Sequence, residues 1–138
     1  LLDQARSSSR RYLFVQGLAD RKNHYIDQAN VEVVSFLNTA DLNRAILSAE
    51  VVVCRSGYSS IMDLCRLGKK ALLIPTPGQT EQVYLAEMLS AAGYFYIMDQ
   101  DQLDLDTGID QALARTGAPD YENSLSWLSD YLVTEKNG

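Results

Sequence analysis

Residues 51–64 read VVVCRSGYSSIMDL. The three valines at 51–53 show no polar alternation, which is typical of a parallel strand covered on both faces. Small or apolar residues then recur at the spacing of one helix face, namely Ile61, Leu64, Cys65 and Gly68. Gly68 is placed to end that helix, and residues 71–74 follow as a second buried strand. The stretch therefore predicts a strand–helix–strand unit with a small, hydroxyl-rich turn.

The composition is that of a soluble globular domain. The chain has 138 residues, of which 46% are hydrophobic and 22% charged, so we expect a single domain over residues 1–138. The net charge of −6 argues against nucleic acid or an anionic membrane as the main partner. Residues 1–70 carry ten Lys and Arg against seven Asp and Glu, whereas residues 71–138 carry two against eleven. A phosphate site is therefore expected in the first half.

Other features of the chain narrow its class. No apolar run approaches the roughly 20 residues that cross a bilayer. Cys54 and Cys65 fit small buried hydrophobes better than a disulfide, and a cytoplasmic location is expected. The sequence has no G-x-G-x-x-G, no Walker loop, and no His/Cys cluster for zinc, so neither a cofactor nor a metal is predicted. Leu1 is not a methionine and residues 1–6 resemble the end of a helix, so we expect a piece of a longer protein.

Strand and helix patterns alternate along the whole chain. The further predicted strands are residues 12–15, 31–36 and 94–98. The further predicted helices are residues 21–30, 42–49 after a start at 38–41, 80–93, 107–115 and 121–133, with an acidic connector at 99–106. This order predicts an α/β fold, a Rossmann-like, doubly wound and mostly parallel sheet of about five strands with helices on both faces.

In open parallel sheets, ligands bind beyond the carboxyl ends of the strands, where three loops should converge. Residues 36–38 offer an aromatic and an aliphatic side chain for a base. The turn after residue 54 offers hydroxyls and a helix N-terminus for phosphate, and a carboxylate one turn later suits ribose. Residues 76–82 offer amides for sugar hydroxyls. The candidate donor-site residues are Phe36, Leu37, Arg55, Ser56, Gly57, Ser59, Ser60, Asp63, Gly78, Gln79, Glu81 and Gln82.

Structural explanations compete with each of these assignments. Residues 60–63 fit an S-x-x-D capping box, in which Asp63 would satisfy a backbone N–H. Arg55 fits a solvated or ion-paired loop residue, and residues 81–82 fit the polar first turn of a helix. Residues 77–78 fit a simple turn, and His24 fits a surface residue of a polar helix.

The motifs taken together resemble the C-terminal domain of MurG-like glycosyltransferases. The resemblance rests on VVVCRSG at 51–57, Asp63 on the next helix, and the segment IPTPGQTEQ at 74–82, and it runs from about residue 12 to residue 111. These enzymes have the GT-B architecture, in which two Rossmann-like domains enclose the active site. The resemblance therefore implies that this chain is one half of a GT-B fold.

The resemblance also implies roles for individual residues. Phe36 and Leu37 would flank the uracil of a UDP-sugar donor, while Ser56 and Gly57 would face its diphosphate. Asp63 stands where the family has a glutamate on the ribose hydroxyls. Gln82 matches the first residue of a Gln-Gln pair that contacts the donor sugar in the family, and Val83 stands at the second position.

The implied function is donor binding in an inverting, metal-independent glycosyltransferase that moves a hexosyl or N-acetylhexosaminyl group to an acceptor hydroxyl. The acceptor domain, with the general base and any peripheral membrane contact, would lie in a missing N-terminal half. The family's glycine-rich diphosphate loop, which precedes the first helix of this domain, would lie before Leu1. The fragment alone is predicted to be inactive, and no catalytic residue is assigned. Three alternatives remain: a binding subunit that docks on a separate acceptor subunit, one half of a UDP-sugar epimerase, and a descendant that no longer binds ligand.

Overall fold

The computed structural model describes residues 1–18 and 24–117. The described chain divides into two compact units, the first formed by Leu1–Ser48 with Asp104–Asp106, and the second by Ala49–Leu103 with the described residues from Thr107 onward. The elements in chain order are α1 (Leu2–Ser7), β1 (Tyr12–Val15), β2 (His24–Gln28), β3 (Val31–Val34), α2 (Thr39–Ser48), β4 (Val52–Cys54), α3 (Tyr58–Leu67), β5 (Ala71–Leu73), α4 (Thr80–Ala91), β6 (Tyr96–Ile97), a 3-10 helix (Gln100–Gln102) and α5 (Leu105–Leu113).

The first unit contains a three-stranded sheet in the order β1-β3-β2. β1 and β3 are parallel, as predicted, with Tyr12 opposite Val31 and Val15 opposite Val34. Val31 and Val33 are buried on one face of the central strand, whereas Glu32 between them is exposed. This alternation with a period of two is the pattern of a strand with one solvated face.

The helix predicted over residues 21–30 is wrong, because residues 24–28 form strand β2. β2 pairs antiparallel with β3, and a two-residue turn joins them, so the segment is half of a hairpin. Asn30 in that turn donates from Nδ2 to the carbonyls of Ala5, Ser8 and Arg10 at 2.9–3.0 Å. Pairing with a neighbouring strand and these long-range bonds outweigh local helix propensity. His24 is exposed, as predicted, but it lies on a strand and contacts Glu32.

The second unit contains an all-parallel sheet in the order β4-β5-β6. Every residue of β5 is buried, so this central strand is covered on both faces as the apolar run predicted. Ala71 and Leu73 pack with α3 and α4, whereas Leu72 faces Gly108 of α5. An added Cβ at Gly108 would lie 2.7 Å from Leu72 Cδ2, so α5 packs closely against the sheet. Helices therefore cover both faces of this sheet.

The core of the second unit is one apolar cluster. Its fully or nearly fully buried members are Ile61, Leu64, Cys65, Ala71, Leu73, Leu85, Ala86, Leu89 and Phe95. The helical stripe predicted after Gly57 thus supplies the α3 contribution. α3 ends as predicted at Gly68, whose φ of +62° is the left-handed conformation that glycine adopts without strain.

Cys54 and Cys65 both lie in the second unit, and neither forms a disulfide. Cys65 is buried, and Cys54 is half-buried with its thiol against the core cluster. Burial raises the pKa of the Cys54 thiol to about 12, because the interior disfavours the thiolate. Cys54 therefore behaves as a small apolar residue rather than as a nucleophile.

The α/β class and the mostly parallel pairing predicted from the sequence are confirmed, although the strands lie in two three-stranded sheets rather than in one sheet of about five. Within the predicted connector, residues 100–102 form a 3-10 helix, and α5 begins at Leu105 rather than at 107. The helix predicted over residues 121–133 lies outside the described residues. Among the described helices, each is too short or too polar to span a bilayer.

A matched pair of substitutions tests the position of the core. Ile61 is fully buried, so Ile61→Ala removes packed methyl groups and should lower the free energy of unfolding by about 2–5 kcal/mol. Ile26 is 72% exposed, and Ile26→Ala should change it by no more than about 0.5 kcal/mol. Urea unfolding followed by circular dichroism measures both values. Equal losses for the two variants would contradict this assignment of the core.

Candidate functional site

Two loops leave the same edge of the parallel sheet in the second unit. β4 ends at Cys54 and β5 ends at Leu73, and each strand is followed by a loop that leads into a helix. Because the strands are parallel neighbours, residues 55–57 and 74–79 both lie at the carboxyl edge. This is where ligands bind in open α/β sheets.

A buried hydrogen bond joins the two loops. Ser56 is completely buried, and its Oγ donates to the carbonyl oxygen of Gln82 at 2.7 Å. Gln82 lies in the first turn of α4, so the bond fixes the start of that helix against the loop after β4. The Ser56 hydroxyl, which we expected to face a phosphate, is instead directed into the protein and holds the loops together.

The loop after β5 contains a tight turn over residues 76–79. Gly78 has a φ of +82°, and the N–H of Gln79 donates to the carbonyl of Thr76 at 3.1 Å. Proline before a glycine of positive φ is the sequence of a type II turn. The turn interpretation of residues 77–78 is therefore confirmed, and the exposed Gly78 lies at the tip of the turn.

The side chain of Gln82 is engaged at both ends of its amide. Its Oε1 accepts from the backbone N–H of Thr76 at 2.9 Å, and its Nε2 donates to Oε1 of Gln79 at 2.8 Å. Both glutamines and the turn thus form one network. Glu81 is an exposed residue of the same helical turn, where a carboxylate is favoured by the helix dipole.

Arg55 uses its guanidinium to hold the second loop rather than facing away from the protein. Its Nη1 donates to the carbonyls of Ile74 and Pro75, both at 3.2 Å, and its Nη2 donates to Oε1 of Gln100. Arg55 is also exposed, as the alternative of a solvated loop residue expects, and its protein partners are neutral oxygens rather than a carboxylate.

Two helix N-termini lie at this edge of the sheet. No side chain caps α3 at Gly57 or α4 at Gln79. The first N–H groups of a helix have no partner within the helix, and they carry partial positive charge that favours an anion. An added Cβ at Gly57 would meet no atom within 4 Å, so the backbone there is open to close approach.

The predicted capping box at residues 60–63 is not formed. α3 begins at Tyr58, which makes Ser60 its third residue and leaves Asp63 in the second turn. Ser59 and Ser60 lie four and three residues before Asp63, so the three side chains share one side of the helix. Ser59 is exposed, while Ser60 and Asp63 are half-buried.

Phe36 and Leu37 belong to the first unit. They follow β3 at its carboxyl end, and 48% of Phe36 is exposed. Neighbouring Ser35 is buried, and its carbonyl accepts from the N–H of Leu18 at 2.7 Å. Asn38 begins α2 as predicted, since its Oδ1 accepts from the N–H of Asp41. The uracil role of Phe36 and Leu37 stays a prediction.

Two contributors to the site were missed in the sequence. Thr76 orients Gln82 through its backbone N–H, and Gln100 receives the guanidinium of Arg55. The turn sequence at 76–79 hints at the first of these, but nothing local links residue 55 to residue 100. Across residues 1–18 and 24–117, no group of three or more His, Cys, Asp or Glu side chains is arranged to hold a metal ion.

The bond between Ser56 and Gln82 can be tested by its contribution to stability. Ser56→Ala removes a buried donor and should lower the free energy of unfolding by about 1–2 kcal/mol. Ser59→Ala makes the same chemical change at an exposed position and should stay within about 0.5 kcal/mol of the original chain. Urea unfolding measures both variants, and a neutral effect of Ser56→Ala would contradict the role of this bond.

The sequence is similar to that of known glycosyltransferases. Residues 13–124 match the glycosyltransferase family 28 C-terminal domain. The chain is 32% identical over 80 residues to the UDP-N-acetylglucosamine--N-acetylmuramyl-(pentapeptide) pyrophosphoryl-undecaprenol N-acetylglucosamine transferase of Histophilus somni, covering 57% of this chain and 22% of that protein. It is 28% identical over 101 residues to the enzyme of the same name from Cupriavidus pinatubonensis. That match covers 72% of this chain and 28% of the relative. The chain thus spans about a quarter of the length of these relatives.

Solved structures share the fold at low sequence identity. MurG of Acinetobacter baumannii matches with a TM-score of 0.57 at 16% identity, over 94% of this chain and 44% of that one. ALG13 matches with a TM-score of 0.55 at 20% identity, over 83% of this chain and 60% of that one. The family match covers most of the chain, and the fold agrees with it. This chain therefore belongs to the glycosyltransferase family 28 C-terminal domain family and has the fold of a MurG-like, GT-B C-terminal domain.

Proposed function

We propose that this chain is the donor-binding domain of a glycosyltransferase and that its donor is a UDP-sugar. The family match supports transfer of a glycosyl group, and the names of the relatives specify UDP-N-acetylglucosamine as their donor. One structural observation carries the proposal. The buried bond from Ser56 to Gln82 holds two uncapped helix N-termini at one edge of a parallel sheet.

The diphosphate of the donor binds at these N-termini. Its charge is offset by the partial positive charge of the first N–H groups of α3 and α4. Gly57 allows a phosphate to approach the backbone, and the hydroxyls of Ser59 and Ser60 lie within the same helical turn. Since helix dipoles can stabilise the departing diphosphate, the reaction proceeds without a metal ion.

The nucleoside and sugar occupy the flanks of the diphosphate. Asp63, in the second turn of α3, accepts hydrogen bonds from the ribose hydroxyls. The loop over residues 76–82 contacts the hexosyl group. The half-buried state of Asp63 supports its role.

Glycosyl transfer requires a general base and an acceptor site in addition to the donor site. Inverting transfer to an acceptor hydroxyl needs a general base on the acceptor side of the sugar. We assign that base and the acceptor site to another domain, either in the same polypeptide or in a separate subunit. We place the reaction in the cytoplasm. This chain alone should therefore bind donor and show no transfer. An assay of the chain with UDP-N-acetylglucosamine, with and without an alcohol acceptor, tests this and also detects epimerisation.

Binding of UDP tests the diphosphate site. The chain should bind UDP more tightly than uridine, and the amide NMR signals of Gly57, Ser59 and Ser60 should shift. Gly57→Ala has room for its methyl group and an accessible backbone conformation, with φ −72° and ψ 153°, so it should fold. The methyl group obstructs the phosphate and should weaken UDP binding about tenfold, equivalent to ~1.4 kcal/mol.

The control for this variant is its own stability, measured by urea unfolding. The free energy of unfolding should fall by less than about 1 kcal/mol for a substitution at this N-cap position. Unchanged UDP affinity in the folded Gly57→Ala variant would place the diphosphate elsewhere and overturn the proposal.

The ribose role of Asp63 predicts a dependence on the 2′-hydroxyl. Asp63→Ala should weaken UDP binding about five- to tenfold, since a hydrogen bond to a charged group is worth about 1.5–3 kcal/mol before solvent exposure reduces it. The same substitution should weaken the binding of 2′-deoxy-UDP less, because that ligand lacks the 2′-hydroxyl that Asp63 would bind. Asp101→Ala, at an exposed position of the 3-10 helix, is the matched control. Equal losses for both ligands on Asp63→Ala would show that Asp63 does not bind the 2′-hydroxyl.

A further inference from the structure

We propose that Gln79 reads the donor sugar through its Nε2 amide group and that Gln82 acts as a positioning residue that orients this amide. The inference rests on the proposed donor site. It assigns the direct contact with the sugar to Gln79, whereas the family resemblance assigns it to Gln82. It follows from the direction of two hydrogen bonds.

The first bond fixes the orientation of the Gln82 amide. The backbone N–H of Thr76 can only donate, so the atom that it meets at 2.9 Å must be the oxygen, Oε1, of Gln82. The nitrogen, Nε2, of Gln82 must then point the other way. Gln82 therefore has no freedom to exchange its oxygen and nitrogen.

The second bond transmits this orientation to Gln79. Nε2 of Gln82 donates at 2.8 Å, so the partner atom must be an acceptor, the Oε1 of Gln79. The NH₂ group of Gln79 is thus the end of the amide that is not bonded to Gln82. Gln79 is exposed, so this donor is available to a ligand at the helix N-terminus.

The backbone around Gln79 is held on both sides. Its N–H closes the turn on Thr76 at 3.1 Å, and its carbonyl accepts from the N–H of Val83 at 3.2 Å. Its side chain does not cap α4, although Gln79 occupies the N-cap position. A substitution of this side chain therefore removes the oriented donor without removing a helix cap.

An oriented NH₂ group selects the chemistry of its ligand. It requires an oxygen acceptor on the hexosyl group, either a ring hydroxyl or the carbonyl of an acetamido substituent. A donor-only substituent, such as a protonated amine, would be rejected. Comparison of two ligands distinguishes these oxygens, because UDP-glucose offers only hydroxyls whereas UDP-N-acetylglucosamine also offers an acetamido carbonyl.

The test compares the affinity for UDP-sugar with that for UDP in each variant, by calorimetry on the full 138-residue chain. Gln79→Met removes the amide without adding charge and should lower the ratio of UDP-sugar affinity to UDP affinity at least fivefold. The affinity for UDP itself should stay within twofold of that of the original chain. The matched control is Gln111→Met on the exposed surface of α5, where the ratio should not change.

Gln82→Glu tests the positioning role. The carboxylate still accepts from the N–H of Thr76, but its second oxygen now requires a donor, so the Gln79 amide turns and presents oxygen to the ligand. The ratio for UDP-N-acetylglucosamine should fall at least threefold, because its acetamido carbonyl can only accept. The ratio for UDP-glucose should change less, because a ring hydroxyl can donate to the turned amide. The added negative charge by itself would raise the ratio, because UDP carries more negative charge than a UDP-sugar, so the expected fall cannot be a charge effect.

Each outcome separates this inference from the proposed function. A chain that does not bind UDP overturns the donor site itself. If UDP binds and Gln79→Met keeps the ratio, Gln79 does not read the sugar. If Gln79→Met lowers the ratio for UDP-N-acetylglucosamine but Gln82→Glu does not, Gln82 does not orient the Gln79 amide toward the acetamido carbonyl, and the positioning role is wrong. Urea unfolding confirms that each variant is folded.

Discussion

The hydrogen bond from the Ser56 hydroxyl to the carbonyl of Gln82 is the constraint on which the candidate site depends. The Ser56 residue is completely buried, so loss of the bond would leave a buried polar group without its partner. The bond joins the loop after β4 to the first turn of α4, and thereby sets two helix N-termini at one edge of the sheet. The bonds from Arg55 to the carbonyls of Ile74 and Pro75 also join the two loops, but they do not reach α4.

The polar side chains of the site are largely occupied with one another. Arg55 holds the carbonyls of Ile74 and Pro75, and Gln82 bridges Thr76 and Gln79. What the edge offers to a ligand is backbone N–H groups and a few oriented donors. Such a site is organised before a ligand arrives, so binding need not pay the full entropy of ordering its loops.

Much of the second unit could be predicted from local sequence. The unbroken valines, the helical stripe through Ile61 and Leu64, and the position of Gly68 each have a single physical explanation that involves only near neighbours. The hairpin at residues 24–34 could not be predicted in this way. Its first strand is polar enough for an exposed helix, and pairing with β3 together with the Asn30 bonds decides its conformation.

The sequence by itself determined the alternation of strands and helices from residue 31 onward, the turn at residues 76–79 and the identity of the loops at the carboxyl edge. These features follow from side-chain periodicity and from backbone dihedral preferences, which act over a few residues. Only the tertiary structure decided which polar atoms face a ligand and which face the protein. Ser56 and Arg55 look like phosphate ligands in the sequence, but their partners lie 26 and up to 45 residues away along the chain. Contacts between residues so far apart depend on how the elements pack, and no local pattern encodes them.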